Sequence, residues 1–184
     1  ARFTAKMNET AQKAGALHSL CQNPHGLPCE NHYTTALDLA RLTKEALTHP
    51  VFAKIAATKR ISFIRPDGQR VTFINKNKFL TQYNGACGVK TGFTKAAGRC
   101  LVSAAQRDGM TLIAVTLNAP NDWSDHASMF YFGFSNYKYT SVTLKDDPVS
   151  SVEIIGSYAE VIPVYPDRDV YYPLKEGEKV VCEI

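Results

Sequence analysis

Apolar side chains recur every third or fourth position in the first part of the chain, which is the spacing of a helix face. Phe3, Met7 and Ala11 share one such face, and Gly15 follows as a natural end. Thr35 opens a Thr-Ala-Leu-Asp sequence that is typical of a helix N-terminus. These patterns predict three helices: residues 3–14, residues 35–47 and a short helix that begins at Pro50.

From about residue 60 the pattern changes to short apolar runs separated by turn residues. Pro66-Asp67-Gly68 and Arg107-Asp108-Gly109 each lie between two such runs, so each predicts a hairpin. Asp122 is a suitable cap for a last helix. The predicted strands are 61–64, 71–74, a third near 87–92, 100–106 and 110–117, and the helix is about 123–132. Helices combined with antiparallel strands predict an α+β fold in which helices pack on an antiparallel sheet.

The sequence changes character again after residue 137. Valine and isoleucine then occur in short β-like runs that Asp-Pro and Pro-Asp pairs interrupt, without a helical pattern. We therefore predict one domain over 1–137, and a linker with the start of a β-rich domain over 138–184. Few strands fit before Ile184, and the chain opens inside a helical pattern without Met, so the sequence is interpreted as truncated at both ends.

Composition adds few constraints. The 184 residues have an ordinary apolar and charged content and a net charge of +4, which allows an anionic cell-wall polymer or lipid surface as partner without requiring one. No apolar run is long enough to span a bilayer, and no secretory signal opens the chain. The cysteines form no C-x-x-C pair, which argues against a zinc site. Cys21 and Cys29 share a polar loop and form either a disulfide or free thiols.

The most specific chemical pattern is Gly-Val-Lys-Thr-Gly-Phe-Thr over residues 88–94, which closes a predicted strand. Lys90-Thr91-Gly92 alone is a weak signal. It gains specificity from its flanks, from Ala97-Gly98 shortly after it and from the apolar strand that follows. A phosphate-binding loop of the Walker A type is excluded, because that loop ends in Gly-Lys-Ser/Thr and this segment reads Lys-Thr-Gly.

This segment resembles the third signature motif of the penicillin-binding proteins and class A β-lactamases, which accompanies S-x-x-K and S-x-N motifs. Asn23-Pro24-His25-Gly26-Leu27, His32-Tyr33-Thr34-Thr35-Ala36 and Asn75-Lys76-Asn77 are similar to segments of the carboxypeptidase branch, in the same order. Through about residue 134 the chain thus resembles the C-terminal portion of the serine-type D-alanyl-D-alanine carboxypeptidases (low-molecular-mass penicillin-binding proteins, peptidase S11 type). The resemblance implies part of a penicillin-binding/β-lactamase-like transpeptidase fold.

The resemblance also implies an activity. Such enzymes remove the terminal D-alanine from peptidoglycan stem peptides through a serine acyl-enzyme, bind β-lactam antibiotics, and act outside the cytoplasmic membrane or as secreted proteins. It implies no metal, no organic cofactor and no nucleic acid, and a membrane contact only through a segment that this sequence lacks. The implied site residues are Lys90, Thr91 and Gly92 as catalytic, the backbone N–H of Phe93 as an oxyanion donor, and His25 and Gly26 as substrate contacts. The family's basic residue for the substrate carboxylate is expected near the last helix, where this sequence has Asp122-Trp123 instead, and Arg99 is the candidate substitute.

The nucleophile is missing from the expected place, because the family's S-x-x-K and S-x-N motifs precede the region where this sequence starts. Ser135-Asn136-Tyr137-Lys138 and Ser124-Asp125-His126 mimic these motifs but follow Lys90, so both are rejected. The implied partner is an N-terminal segment of the same protein that carries both motifs, and the chain alone is expected to be inactive. A non-catalytic peptide-binding or structural fragment of this fold and a β-lactamase-related fragment are the alternatives.

Overall fold

The computed structural model of the chain describes residues 2–156 and 161–181. These residues divide into two compact units, one made of residues 2–107 and 111–131, and the other of residues 108–110 with the described part of 132–181. Each unit is described by itself below. Ile184 and Cys182 lie outside the described residues.

The first part of the chain contains the predicted helices and strands, with boundaries that differ by at most four residues. One element was not predicted, a single helical turn at Phe79–Gln82, whose first residues Phe79 and Leu80 are fully buried. In chain order the elements are α1 (Arg2–Lys13), α2 (Ala36–Leu47), α3 (Pro50–Ala57), β1 (Arg60–Ile64), β2 (Arg70–Ile74), α4 (Phe79–Gln82), β3 (Ala86–Thr94), β4 (Gly98–Arg107), β5 (Met110–Thr116) and α5 (Asp122–Asn136).

The N-terminus of α2 forms as predicted and also fixes the preceding loop. The Thr35 hydroxyl accepts a hydrogen bond from the Asp38 N–H at 3.1 Å, so Thr35 caps the helix. The buried carboxylate of Asp38 accepts hydrogen bonds from the His18 N–H at 2.6 Å and from the Ser19 hydroxyl at 2.8 Å. Burial by itself raises the pKa of Asp38, but these hydrogen bonds and the nearby charge of Arg41 together outweigh burial and lower it. Asp38 therefore ties the loop after α1 to the start of α2.

Strands β3, β4 and β5 form a three-stranded sheet in that order, and β3 pairs with β4 antiparallel. The β4–β5 connection is the predicted turn, in which Asp108 and Gly109 both have positive φ, as a two-residue hairpin turn of this twist requires. The central strand β4 is the most buried strand, and Leu101, Ala104 and Ala105 are fully covered. The sheet thus provides a rigid support for the residues of β3.

Aromatic rings fill the core between the sheet and the last helix. The Phe79 ring lies 5.4 Å from the Phe130 ring and 6.1 Å from the His126 ring, centroid to centroid. His126 is fully buried, and its Nε2 lies 3.0 Å from the Thr116 hydroxyl of β5. This packing explains why α4 forms between the second and third predicted strands, where the sequence pattern predicts no element, since tertiary burial of Phe79 and Leu80 overrides weak local propensity.

The second unit is built from antiparallel pairs of short strands. The strands are β6 (Lys138–Thr143), β7 (Ser150–Glu153), β8 (Val161–Val164) and β9 (Val170–Leu174). β6 pairs with β9, β7 pairs with β8, and the Tyr139 and Tyr171 rings stack at 5.3 Å across the first pair. The β-rich character expected after residue 137 is therefore present.

In residues 2–156 and 161–181, no helix combines the length and apolar character needed to cross a membrane. The same residues contain no group of three or more His, Cys, Asp or Glu side chains arranged to hold a metal ion. Of the two cysteine states left open, the structure has free thiols at Cys21 and Cys29.

Candidate active site

The Lys-Thr-Gly motif lies on β3, an outer strand of the sheet, whose order is β3-β4-β5. Antiparallel pairing places Lys90 opposite Val102, and Gly92 opposite Cys100. β3 has only β4 as a strand neighbour among the described residues, so its other edge is open. An open edge offers backbone donors and acceptors to an extended peptide.

The turn after β3 is fixed by close packing. Gly98 has a φ of +67°, and a Cβ atom there would lie 2.0 Å from the side-chain oxygen of Asn118, so only glycine fits. The Ala119 N–H donates to the Arg99 carbonyl at 3.0 Å, and the Ala97 N–H donates to the Thr94 hydroxyl at 3.0 Å. These contacts hold the end of the motif strand and the start of β4 in one geometry.

An apolar groove of about 310 Å³ lies between α2, α3 and the sheet. Its walls are almost wholly apolar, and the motif residues are part of its lining. Its lining residues are Leu39, Leu42, Thr43, Ala46, Phe52, Val89, Lys90, Thr91, Gly92, Cys100, Leu101, Val102, Thr116 and Leu117. A groove of this composition favours an apolar occupant more than a charged peptide.

A basic cleft of about 450 Å³ also includes the motif residues, and its lining is mostly polar. It has four cationic side chains and one carboxylate. Its lining residues are Lys76, Lys78, Lys90, Thr91, Gly92, Phe93, Arg99, Cys100, Asp122 and Trp123. Four cations against one carboxylate leave a net positive charge, so this cleft favours an anionic ligand.

Lys90 lines both the apolar groove and the basic cleft. A third cavity of about 470 Å³, formed with Ile55 and Asn75, includes it as well. Its ammonium group donates a hydrogen bond to the Thr91 carbonyl. Lys90 and Thr91 therefore lie where an apolar and a cationic surface meet.

Arg99 is held in the basic cleft by a buried carboxylate. Its Nη2 donates to Asp122 Oδ1 at 2.7 Å, and the guanidinium carbon lies 5.9 Å from the centre of the Trp123 ring. The Asp122 side chain is 5% exposed and also accepts a hydrogen bond from the Trp123 N–H at 2.9 Å, whereas the Arg99 side chain is 43% exposed. The guanidinium has five N–H donors, so donors remain for a ligand in the cleft.

Two of the expected substrate contacts are not part of the cavities that Lys90 lines. His25 and Gly26 are in an exposed loop, where His25 Nδ1 accepts a hydrogen bond from the Leu27 N–H at 3.2 Å. The three cavities that Lys90 lines contain neither residue. The residues that sequence reasoning missed are Asp122 as the partner of Arg99, and Lys76 and Lys78 as cleft cations.

The chain matches a known protein family over most of its first unit. The sequence profile of peptidase S11, described as D-alanyl-D-alanine carboxypeptidase, matches residues 1–121. The chain belongs to the peptidase S11 family. This membership confirms the resemblance that the Lys90-Thr91-Gly92 segment indicated.

Curated members of peptidase S11 cover the chain to different extents. The D-alanyl-D-alanine carboxypeptidase DacF of Bacillus subtilis is 29% identical over 179 residues, which are 96% of this chain and 46% of the relative. DacB2 of Mycobacterium tuberculosis is 34% identical over 146 residues, 75% of this chain and 50% of the relative. The chain therefore spans about half the length of the curated relatives it matches.

Solved structures of peptidase S11 type proteins share this fold. The DD-transpeptidase of Streptomyces K15 superposes with a TM-score of 0.67 at 31% identity, covering 72% of this chain and 54% of that chain. The D-alanyl-D-alanine carboxypeptidase of Mycobacterium tuberculosis H37Rv gives a TM-score of 0.65 at 34% identity, with coverage of 72% and 53%. The predicted α+β fold class is thereby confirmed as the fold of the DD-peptidases.

Proposed function

We propose that this chain is part of a serine D,D-carboxypeptidase that removes the terminal D-alanine from peptidoglycan stem peptides. In this proposal a segment outside the sequence, with S-x-x-K and S-x-N motifs, supplies the serine. The main support is the position of Lys90 and Thr91 at the junction of two surfaces. The apolar groove suits packing against that segment, and the basic cleft suits a peptide that ends in a carboxylate.

The proposed reaction has two steps. The serine hydroxyl attacks the carbonyl carbon before the terminal D-alanine, the amide bond breaks, and D-alanine leaves with the proton that the serine lost. Water then hydrolyses the acyl-enzyme ester. The Lys90 ammonium stabilises negative charge beside the serine, and the Phe93 N–H donates to the oxyanion. A Cβ atom at Gly92 would meet the Cys100 side chain only at an ordinary 3.7 Å, so the fold tolerates a larger residue there and substrate access accounts for the glycine.

β-Lactam antibiotics enter the same proposal because their carboxylate and acyl group imitate the end of the stem peptide. The Thr91 hydroxyl and the Arg99 guanidinium are the groups we assign to that carboxylate. We retain His25 and Gly26 as contacts for the more distant part of the stem peptide. Residues 1–137 are assigned to the peptidase domain and 138–184 to the start of a β-rich domain, in a protein that acts outside the cytoplasmic membrane.

The proposal is tested by labelling with a fluorescent penicillin. The chain alone is expected to remain unlabelled, and the chain co-expressed with the segment that carries S-x-x-K is expected to give a complex labelled on that segment. A second reaction with an excess of unlabelled penicillin controls for non-specific staining. Labelling of this chain by itself would contradict the proposal, and an unlabelled complex would favour the non-catalytic alternative.

Substitution Arg99→Gln is expected to raise KM for a carboxylate-terminated peptide about tenfold in the assembled enzyme, with a small change in kcat. The reason is the loss of one charge-assisted hydrogen bond to the substrate, which is worth about 1.5–3 kcal/mol. Steady-state release of D-alanine measures the effect.

The control for Arg99→Gln is the same peptide with a carboxamide end, whose KM should change little. An equal rise of KM for both peptides would show that Arg99 acts on the shape of the cleft and does not recognise the carboxylate.

A further inference from the structure

The β1–β2 hairpin is exposed on both of its faces. Of its ten strand residues, only Val71 is partly covered, and the other nine are exposed. Five of the exposed residues are large and apolar: Ile61, Phe63, Ile64, Phe73 and Ile74. A two-stranded ribbon has little stability in water by itself, so an apolar exposed ribbon indicates a binding surface.

The register of the hairpin sorts these residues by face. Ile61 pairs with Phe73, and Phe63 pairs with Val71, so these four side chains form one continuous apolar face. The Phe63 and Phe73 rings stack at 5.8 Å between centroids. Ile61, Phe63 and Phe73 are 56%, 47% and 58% exposed.

The opposite face has a different chemistry. Ser62 pairs with Thr72, and their hydroxyls lie 2.7 Å apart in a hydrogen bond. Arg60 and Arg70 lie on this face, each beside an isoleucine of the other strand. The hairpin is therefore amphipathic, with one apolar face and one face of hydroxyls, arginines and two isoleucines.

Cations are concentrated on and beside the hairpin, at its ends, in its turn and on the face opposite the apolar one. Residues 59–76 contain five cationic side chains and one carboxylate, Asp67, which gives this segment a net charge of +4. The net charge of the whole chain is also +4, so the remaining residues are neutral in sum. The cations are Lys59, Arg60, Arg65, Arg70 and Lys76.

We infer that the apolar face of the β1–β2 hairpin docks into the interfacial region of an anionic lipid bilayer. Apolar side chains that enter the boundary between headgroups and acyl chains, together with cations that reach the phosphates, are the two contributions that hold a protein on such a surface. Arginine suits this role because its aliphatic stem covers apolar surface while the guanidinium stays at the headgroups.

The same features disfavour other occupants. A second copy of this chain would bring another segment of charge +4 against the first, which like-charge repulsion opposes. A polar anionic polymer of the cell wall accounts for the arginines but leaves four apolar side chains without a role. Docking of the hairpin on a bilayer differs from the sequence-based expectation that membrane contact requires a segment absent from this chain. It does not depend on the proposed catalytic function.

Vesicle sedimentation tests the inference with the chain alone and no substrate. The chain is expected to bind vesicles made of equal parts phosphatidylglycerol and phosphatidylcholine, and to bind pure phosphatidylcholine vesicles far less. Arg65→Glu combined with Arg70→Glu should lower the partition coefficient by about 25-fold or more, since each cation near an anionic surface contributes about fivefold. Phe63→Ser combined with Phe73→Ser should lower it about 100-fold.

Matched variants separate the hairpin from general charge and from misfolding. Lys44→Glu combined with Lys145→Glu makes the same change in net charge at exposed positions elsewhere and should lower binding much less. Ser62→Ala combined with Thr72→Ala alters the opposite face and should leave binding unchanged. Far-ultraviolet circular dichroism checks that each variant is folded.

Three results would overturn the inference. They are equal binding to anionic and neutral vesicles, equal loss in the Lys44/Lys145 and Arg65/Arg70 variants, and binding to purified peptidoglycan sacculi without binding to vesicles. None of these results bears on penicillin labelling of the assembled enzyme, so failure of this inference and failure of the proposed function are distinguishable.

Discussion

Substitution Lys90→Gln is expected to slow acylation of the assembled enzyme by penicillin about 10³-fold. The glutamine side chain retains hydrogen-bonding capacity and similar length but removes the positive charge that lies at the junction of the apolar groove and the basic cleft. A fixed charge directed at developing negative charge in an active site typically contributes this much to the rate. The rate constant for labelling by a fluorescent penicillin measures the effect.

Lys95→Gln is the matched control for Lys90→Gln. Lys95 is an exposed lysine in the turn just after β3, and it lines none of the three cavities that include Lys90. Its substitution should change the labelling rate less than about twofold. If both substitutions slowed labelling equally, the effect of Lys90 would be a general effect of charge, and its assignment as a catalytic residue would be wrong.

Local signals in the sequence predicted much of the fold. Thr35 caps α2 as its Thr-Ala-Leu-Asp sequence indicated, because a cap depends on residues three positions apart. Asp108-Gly109 forms the predicted turn for the same reason, since positive φ at these two positions is a local property. The Lys90-Thr91-Gly92 motif was found because its residues are contiguous in sequence.

The contacts that were missed join residues far apart in the chain. Arg99 and Asp122 are 23 positions apart, and nothing in the local sequence of either indicates that they form an ion pair. Asp122 was predicted only as a helix cap. α4 forms because Phe79 packs against Phe130, which is a tertiary contact that local propensity does not encode.

His126 is the clearest case of a residue whose role only the structure reveals. In the sequence it belongs only to the rejected Ser124-Asp125-His126 segment, yet it is fully buried and packs against Phe79 and Phe130. Burial lowers the pKa of His126 from 6.5 to about 4, although the carboxylates of Asp122 and Asp125 act in the opposite direction. The folded chain therefore keeps this ring neutral at a pH where the unfolded chain protonates it.

The free energy of unfolding is expected to be about 2 kcal/mol lower at about pH 5 than at about pH 7, through His126 alone. As the pH falls below 6.5, the unfolded state takes up a proton that the folded state does not bind until the pH approaches 4. Protonation of His126 therefore favours the unfolded state between pH 6.5 and about pH 4. Below about pH 4, its effect on the free energy of unfolding stops growing. Urea unfolding followed by the fluorescence of Trp123, the single tryptophan, measures the change.

Two histidine variants isolate this effect. His126→Gln retains a hydrogen-bonding group for the Thr116 hydroxyl but cannot titrate, so its unfolding free energy should be lower than that of the parent at neutral pH and nearly flat across the interval. His49→Gln removes an exposed histidine and should retain the full pH dependence of the parent. A parent chain whose stability does not change between these pH values would show that the ring of His126 is protonated, or accessible to water, in the folded state.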